Sequence, residues 1–131
     1  MLIDIAGWYS FFDEKDFRHP DASATVKAAN VRLPTSYVLA EFIPLCQTRG
    51  LNRKKTLEFV ETIIVNPLIE ILWIEENLHG QAFTLLQKRL DKTYSLCDTV
   101  SFVVMRERSL TEALTTDKHF KQEGFIKLLK S

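Results

Sequence analysis

Apolar residues recur along this chain in two rhythms: short β-branched or continuous runs, and longer stretches at three- and four-residue steps. The first rhythm predicts strands and the second amphipathic helices. Leu2-Ile3-Asp4-Ile5 reads as a buried strand that ends almost at once; Gly7 breaks it, and Trp8, Phe11 and Phe12 follow at helical spacing. Pro20-Asp21 can open a helix that Asn30 stops, and Val31-Arg32-Leu33 reads as a second strand, closed by Pro34. Thr35 or Ser36 caps a long helix with Val38, Phe42 and Leu45 on one face, flanked by Leu39 and Cys46 and ended by Gly50. Asn52 caps the next helix, which carries Leu57, Val60 and Ile64 and stops at Asn66-Pro67. Residues 69–74 read as a strand, and a helix from Glu75 or Glu76 follows with Leu78, Ala82, Leu85 and Leu86. Ser95 opens another helix with Val100, Val103 and Val104, and 113–116 and 125–129 are the last strand candidates. Strands alternating with helices predict an α/β fold with a mainly parallel sheet covered on both faces. No repeat, low-complexity segment or linker divides the chain, so residues 1–131 read as one domain.

Length and composition narrow the class. A chain of 131 residues buries enough surface to fold without a metal or disulfide staple. Lys and Arg number 17, as do Asp and Glu, and the zero net charge excludes a protein coated in positive charge for non-specific phosphate binding. It does not exclude a local nucleic-acid site. Cys46 and Cys97 are isolated and read as buried thiols of a reducing compartment. The N-terminus has no basic leader, and the apolar region 63–74 is broken by Asn66, Pro67 and Glu70, so the expectation is a cytoplasmic protein with no membrane span.

Certain carboxylates fall where the pattern expects apolar or neutral residues. Asp4 ends a strand, at the edge where parallel α/β sheets bind ligands, or it caps the following helix. Glu41 shares the inward face of Val38 and Leu45, as a ligand, a buried ion pair or a side chain reaching the helix edge. Asp98 lies three residues after Ser95, which is capping-box spacing. Asp117 follows the 113–116 strand, at another strand end or in a turn. Brought together, such acids would repel one another unless a cation compensates. Oxygen-only ligands favour Mg²⁺ or Mn²⁺, whose chemistry is metal-assisted phosphodiester hydrolysis. The glycines are isolated and form no phosphate loop, and no serine sits in a nucleophile elbow.

The stretch Tyr94 to Met105, followed by Glu112 to Phe120, resembles the C-terminal signature of PIN-domain ribonucleases, above all the VapC-type toxins of toxin–antitoxin modules. Leu2-Ile3-Asp4 through Trp8-Tyr9, and Thr35 through Glu41, fit the first two acidic motifs of that family in order. The resemblance spans essentially the whole chain. It implies a three-layer α/β/α sandwich, divalent-metal-dependent cleavage of RNA, homodimers and inhibition by a small antitoxin. It maps the motif acids onto Asp4, Glu41, Asp98 and Asp117, with the Ser95 and Thr116 hydroxyls orienting them. The family commonly has Thr or Ser just after the first aspartate, whereas Ile5-Ala6 stand here. That departure keeps a second reading open: a catalytically weak or inactive PIN-like module that binds RNA or protein. Arg106, Arg108 and Lys118 flank the acids and are the candidate RNA contacts, while His119, two residues after Asp117, reads as packing beside Phe120 or as a contact to RNA phosphate. The helices carrying Val38–Cys46 and Leu57–Ile64 leave a groove in the region that receives the antitoxin in such toxins.

Overall fold

A computed structural model describes residues 1–131. Strands β1 (Leu2–Ile3), β2 (Glu112–Leu114) and β3 (Ile126–Lys127) form an all-parallel sheet in the order β1-β2-β3. The expected strands at 31–33 and 69–74 shrink to isolated parallel bridges, Leu2 with Leu33 and Thr35 with Leu72. Backbone bonds nonetheless extend the sheet through them: Ile3 N–H donates to the Leu33 carbonyl at 3.1 Å and Leu72 N–H to the Pro34 carbonyl at 3.0 Å. Pro34 has no N–H to return, which keeps this edge from a regular ladder.

Seven helices complete the chain: α1 (Ile5–Phe12), α2 (His19–Ala28), α3 (Ser36–Thr48), α4 (Arg53–Val65), α5 (Glu76–Gln87), α6 (Leu96–Glu107) and α7 (Lys118–Gln122). The expected caps are present, with Thr35 accepting from Val38 N–H and Asn52 from Lys55 N–H. Alternation along the strands divides the core in two. Ile3 and Leu114 join Trp8, Val38, Phe42, Val60 and Ile63 on one face, with α1 to α4. Leu2 and Ala113 join Ala82, Val100, Phe102, Met105 and Phe120 on the other, with α5 to α7. The result is the three-layer α/β/α arrangement.

Gly7 is an element of α1 rather than its boundary. A Cβ at Gly7 would lie 2.1 Å from the Leu114 carbonyl oxygen, so only glycine lets α1 pack this closely on β2. That contact sets Asp4, at the head of α1, beside the carboxyl end of β2.

Candidate active site

The acids meet at the carboxyl edge of the sheet. Asp4 leaves β1, is 5% exposed and occupies the N-cap position of α1 without bonding the helix N–H groups through its side chain. Its partner is Thr115, whose Oγ1 donates to Asp4 Oδ2 at 2.8 Å. The same Oγ1 accepts from Asp117 N–H at 3.0 Å, so one buried hydroxyl ties the ends of β1 and β2 together. The orienting threonine is therefore Thr115 and not Thr116. Both lie just past β2, and the two neighbours turn to different surroundings, Thr115 to Asp4 and Thr116 away from it. Thr116 instead lines a neighbouring pocket.

Asp98 is held by a complete capping box at the start of α6. Ser95 Oγ accepts from Asp98 N–H at 3.0 Å and Asp98 Oδ2 accepts from Ser95 N–H at 3.0 Å. The cap and site readings of Asp98 are thus compatible, because the box uses Oδ2 and leaves Oδ1 without a protein partner. Glu41 lies on α3 and is exposed, so it stands on the rim of the site rather than on the inward face.

His119 occupies the middle of the cluster, which its expected packing role did not foresee. Its Nδ1 lies 3.0 Å from Asp98 Oδ2 and 3.3 Å from Asp117 Oδ2. Ionised carboxylates only accept, so Nδ1 carries the proton, and Nε2 faces the Thr93 hydroxyl at 3.1 Å. Asp117 Oδ1 accepts from His119 N–H at 2.9 Å, and the ring stands edge-on to Tyr94. The local signal was the two-residue spacing from Asp117: an Asx cap on α7 brings the ring back over the acid that caps it.

No lysine or arginine forms an ion pair with Asp4, Glu41, Asp98 or Asp117. Burial pushes the Asp4 carboxyl up to about 7, and the charges of Asp98 and Asp117 add to the rise against the Thr115 bond. Asp98 is raised first by burial and then by Asp117, opposed by its bonds to Ser95 and His119. Glu41 is raised by desolvation and by Asp98. The Cys97 thiol is pushed up by burial and by the charges of Glu41, Asp4 and Asp98. Asp4, Asp98 and Glu41 are therefore each raised in part by a neighbouring acid, with no lysine or arginine paired to offset the charge. Asp98, Asp117 and His119 offer atoms within 4.8 Å of one another, which places the two carboxylates close enough for one ion to bridge, with Asp4 and Glu41 outside that group. Oxygen donors with uncompensated charge suit a divalent cation.

The candidate RNA contacts are placed less uniformly. Lys118 opens α7 beside Asp117 and is exposed. Arg106 and Arg108 lie at the far end of α6 from Asp98, about 12 Å along the axis at 1.5 Å per residue. Arg106 pairs with Glu123, and Arg108 with Glu70 at 2.8 Å. Their nearness to the acids in sequence reflects a helix whose two ends face different surroundings. No helix is long and apolar enough to cross a membrane, and both cysteines are buried and free.

No protein-family model matches the chain. The chain is 24% identical over 129 residues to the 23S rRNA-specific endonuclease VapC20 of Mycobacterium tuberculosis, in strains CDC 1551 / Oshkosh and ATCC 25618 / H37Rv, covering 98% of this chain and 97% of that protein. The crystal structure of M. tuberculosis VapC20, described as a Sarcin-Ricin loop cleaving toxin, superposes with a TM-score of 0.88 at 23% identity, covering 98% of each chain. The fold is that of this VapC toxin, and the resemblance holds from end to end.

Proposed function

We propose that this VapC-like chain is a Mg²⁺- or Mn²⁺-dependent endoribonuclease, the toxin of a toxin–antitoxin pair acting in the cytoplasm. The observation that carries it is the grouping of Asp98 and Asp117 around His119, with buried Asp4 tied to the same strand end through Thr115 and no lysine or arginine paired with any of these acids. The whole-length similarity to an endonuclease that cleaves 23S rRNA supports the same chemistry.

The four acids would hold the metal, which when bound polarises the phosphodiester and makes an attacking water available near neutral pH. Ser95, Thr115 and His119 hold three of those carboxylates in fixed orientations. Ile5-Ala6 in place of the family hydroxyl does not leave Asp4 unsupported, since Thr115, just past β2, supplies that hydrogen bond. Lys118 offers a cation to RNA beside Asp117. The expected groove between α3 and α4 is largely closed by shared core packing of Phe42, Cys46, Val60 and Ile63. For an antitoxin, the surface that remains is the exposed Ile64, Val65 and Leu68 beside a cleft of about 250 Å³ lined by Trp8, Phe59 and Ile63. Exposed Trp73 and Phe83 are available to a homodimer contact.

The test is Asp98→Asn, which keeps the capping geometry and removes a ligand charge. The variant should retain its circular dichroism while RNA cleavage falls by at least about 100-fold, as in the wild type with EDTA, since losing even an outer partner of a metal costs roughly 10–100-fold. Unchanged cleavage by Asp98→Asn would sink the assignment of the site.

A further inference from the structure

Beside the acids lies a second feature that the metal does not use: a pocket of about 120 Å³ lined by Ala6, Ser10, Arg18, Leu45, Arg49 and Thr116, with Tyr9 and Asp16 completing it. Its walls continue the site directly. Ala6 is two residues beyond Asp4, Thr116 precedes Asp117, and Leu45 is one helical turn, about 5.4 Å, beyond Glu41. The two arginines differ in freedom. Arg18 is occupied, pairing with Asp16 at 3.3 Å and donating from Nε to the Lys130 carbonyl at 2.7 Å. Arg49 is exposed and has no carboxylate partner within ion-pair distance. It lies over the Tyr9 ring, 4.8 Å from the centroid, and Tyr9 is itself anchored by its hydroxyl on Asp13 at 2.9 Å. Arg49 follows the last residue of α3, where a cation complements the helix dipole. That role alone does not explain the place of the guanidinium over the Tyr9 ring, where both residues form the wall of the pocket. A stacked guanidinium is pre-organised for phosphate.

We propose that this pocket is a phosphate subsite, in which Arg49 binds the backbone phosphate next to the one held at the acids, with Arg18 as a fixed supporting charge. The inference rests on the ribonuclease reading and adds where the substrate strand runs. The two guanidinium groups in its walls favour a phosphate as the occupant. Arg18 and Arg49 against Asp16 leave the pocket positive, while the adjoining site is negative until a cation enters. A polyanion thus has one anchor that does not depend on metal. A contact to phosphate positions the strand without reading its sequence.

The experiment uses the full chain and a short single-stranded RNA of mixed sequence. Binding is followed by fluorescence anisotropy in EDTA across a KCl series, and cleavage with Mn²⁺. Arg49→Ala should weaken binding about tenfold and flatten the slope of log affinity against log salt by about 0.7, the value for one phosphate on a single strand. KM should rise with kcat within about threefold, the pattern of lost uniform binding. Calorimetric Mn²⁺ affinity should not change, and Arg49→Lys, which keeps the charge without the planar fork, should recover part of the loss. Lys54→Ala, on exposed α4, is the matched control. If Arg49→Ala is too unstable to assay, Arg49→Lys carries the test through its intermediate affinity. Wild-type affinity and salt slope in a folded Arg49 variant overturn the subsite while leaving the nuclease reading intact. A wild-type protein that binds RNA but never cleaves it overturns the nuclease reading alone, and the Arg49 salt slope still decides the subsite. No RNA binding by any form overturns both.

Discussion

Asp4 shows how one buried side chain can couple stability to function. Its carboxyl sits near 7 in the folded protein against an ordinary value of 3.8, chiefly because burial penalises the charge. The folded state therefore binds the proton more tightly than the unfolded state. The stability this contributes is complete below about pH 4 and is lost as pH rises through 7. At about 1.4 kcal/mol per pKa unit, the loss by pH 8 is of order 4 kcal/mol in the metal-free protein. Asp4→Asn keeps a group that can accept from Thr115 and removes the charge. Urea unfolding in EDTA should find the variant more stable than wild type at pH 8, by up to about that amount, and nearly equal at pH 4, while its RNA cleavage is lost. His119 is the complementary case, a ring that restrains two carboxylates instead of carrying the chemistry. His119→Ala should lower calorimetric Mn²⁺ affinity by roughly 10–100-fold, the usual cost of losing such a partner. Unaltered affinity would leave it only a packing role beside Tyr94. Neither effect was visible in the residue pattern. Asp4 was legible as an acid at a strand end, but burial depth and the ring connecting Asp98 to Asp117 depend on contacts across 111 and 21 positions of chain.

At the scale of elements, the long helices were readable with their caps, whereas the strands were readable in place but not in extent, and the short α7 was not read at all, for a physical reason. Helices α3, α4 and α6 span 12 or 13 residues, long enough for three- and four-residue spacing to repeat, and each begins at a residue whose side chain caps it. The strands have two or three residues, too few for alternation to register, and the edge segments around Leu33 and Leu72 keep sheet hydrogen bonds without forming strands. Gly7 was read as the residue that breaks the opening strand pattern; in the fold it lies inside α1 and lets that helix touch β2. Within a helix, Gly→Ala ordinarily stabilises by about 0.5–1 kcal/mol. At Gly7 the sign should reverse. The added methyl would overlap the Leu114 carbonyl, which also accepts Asp4 N–H at 3.2 Å. Gly7→Ala should cost at least about 1–3 kcal/mol in chemical denaturation, the usual penalty of overpacking. Cleavage should fall with it, because the displaced carbonyl carries Asp4. A neutral or stabilising outcome would show that α1 can slide on the sheet, and that the Asp4–Thr115 bond is not set by this contact.

For the molecule as a whole, zero net charge conceals an uneven distribution: acids at one sheet edge with His119 but no lysine or arginine paired to them, and arginines tied to Glu123 and Glu70 at the far end of α6. Such a fold keeps, under native conditions, a cluster that opposes its own ionisation, and a bound divalent cation should reverse that opposition. Protons and metal compete for the same carboxylates, so the two act on stability in opposite directions with pH. Without metal, the melting temperature should fall between pH 5 and pH 8, following the raised carboxyls of Asp4, Asp98 and Glu41. With Mn²⁺ at about 100 times its dissociation constant, binding adds about 2.7 kcal/mol. For a chain of this length that is a rise on the order of 10 °C. The gain should be large at pH 8 and small at pH 5, so the pH dependence of the melting temperature shrinks or inverts when metal is present. Differential scanning fluorimetry at the two pH values, with Mn²⁺ and with EDTA, separates the outcomes. Equal shifts at both pH values would place the ion away from these carboxylates, and no shift at either would leave the cluster without the cation that its charge requires.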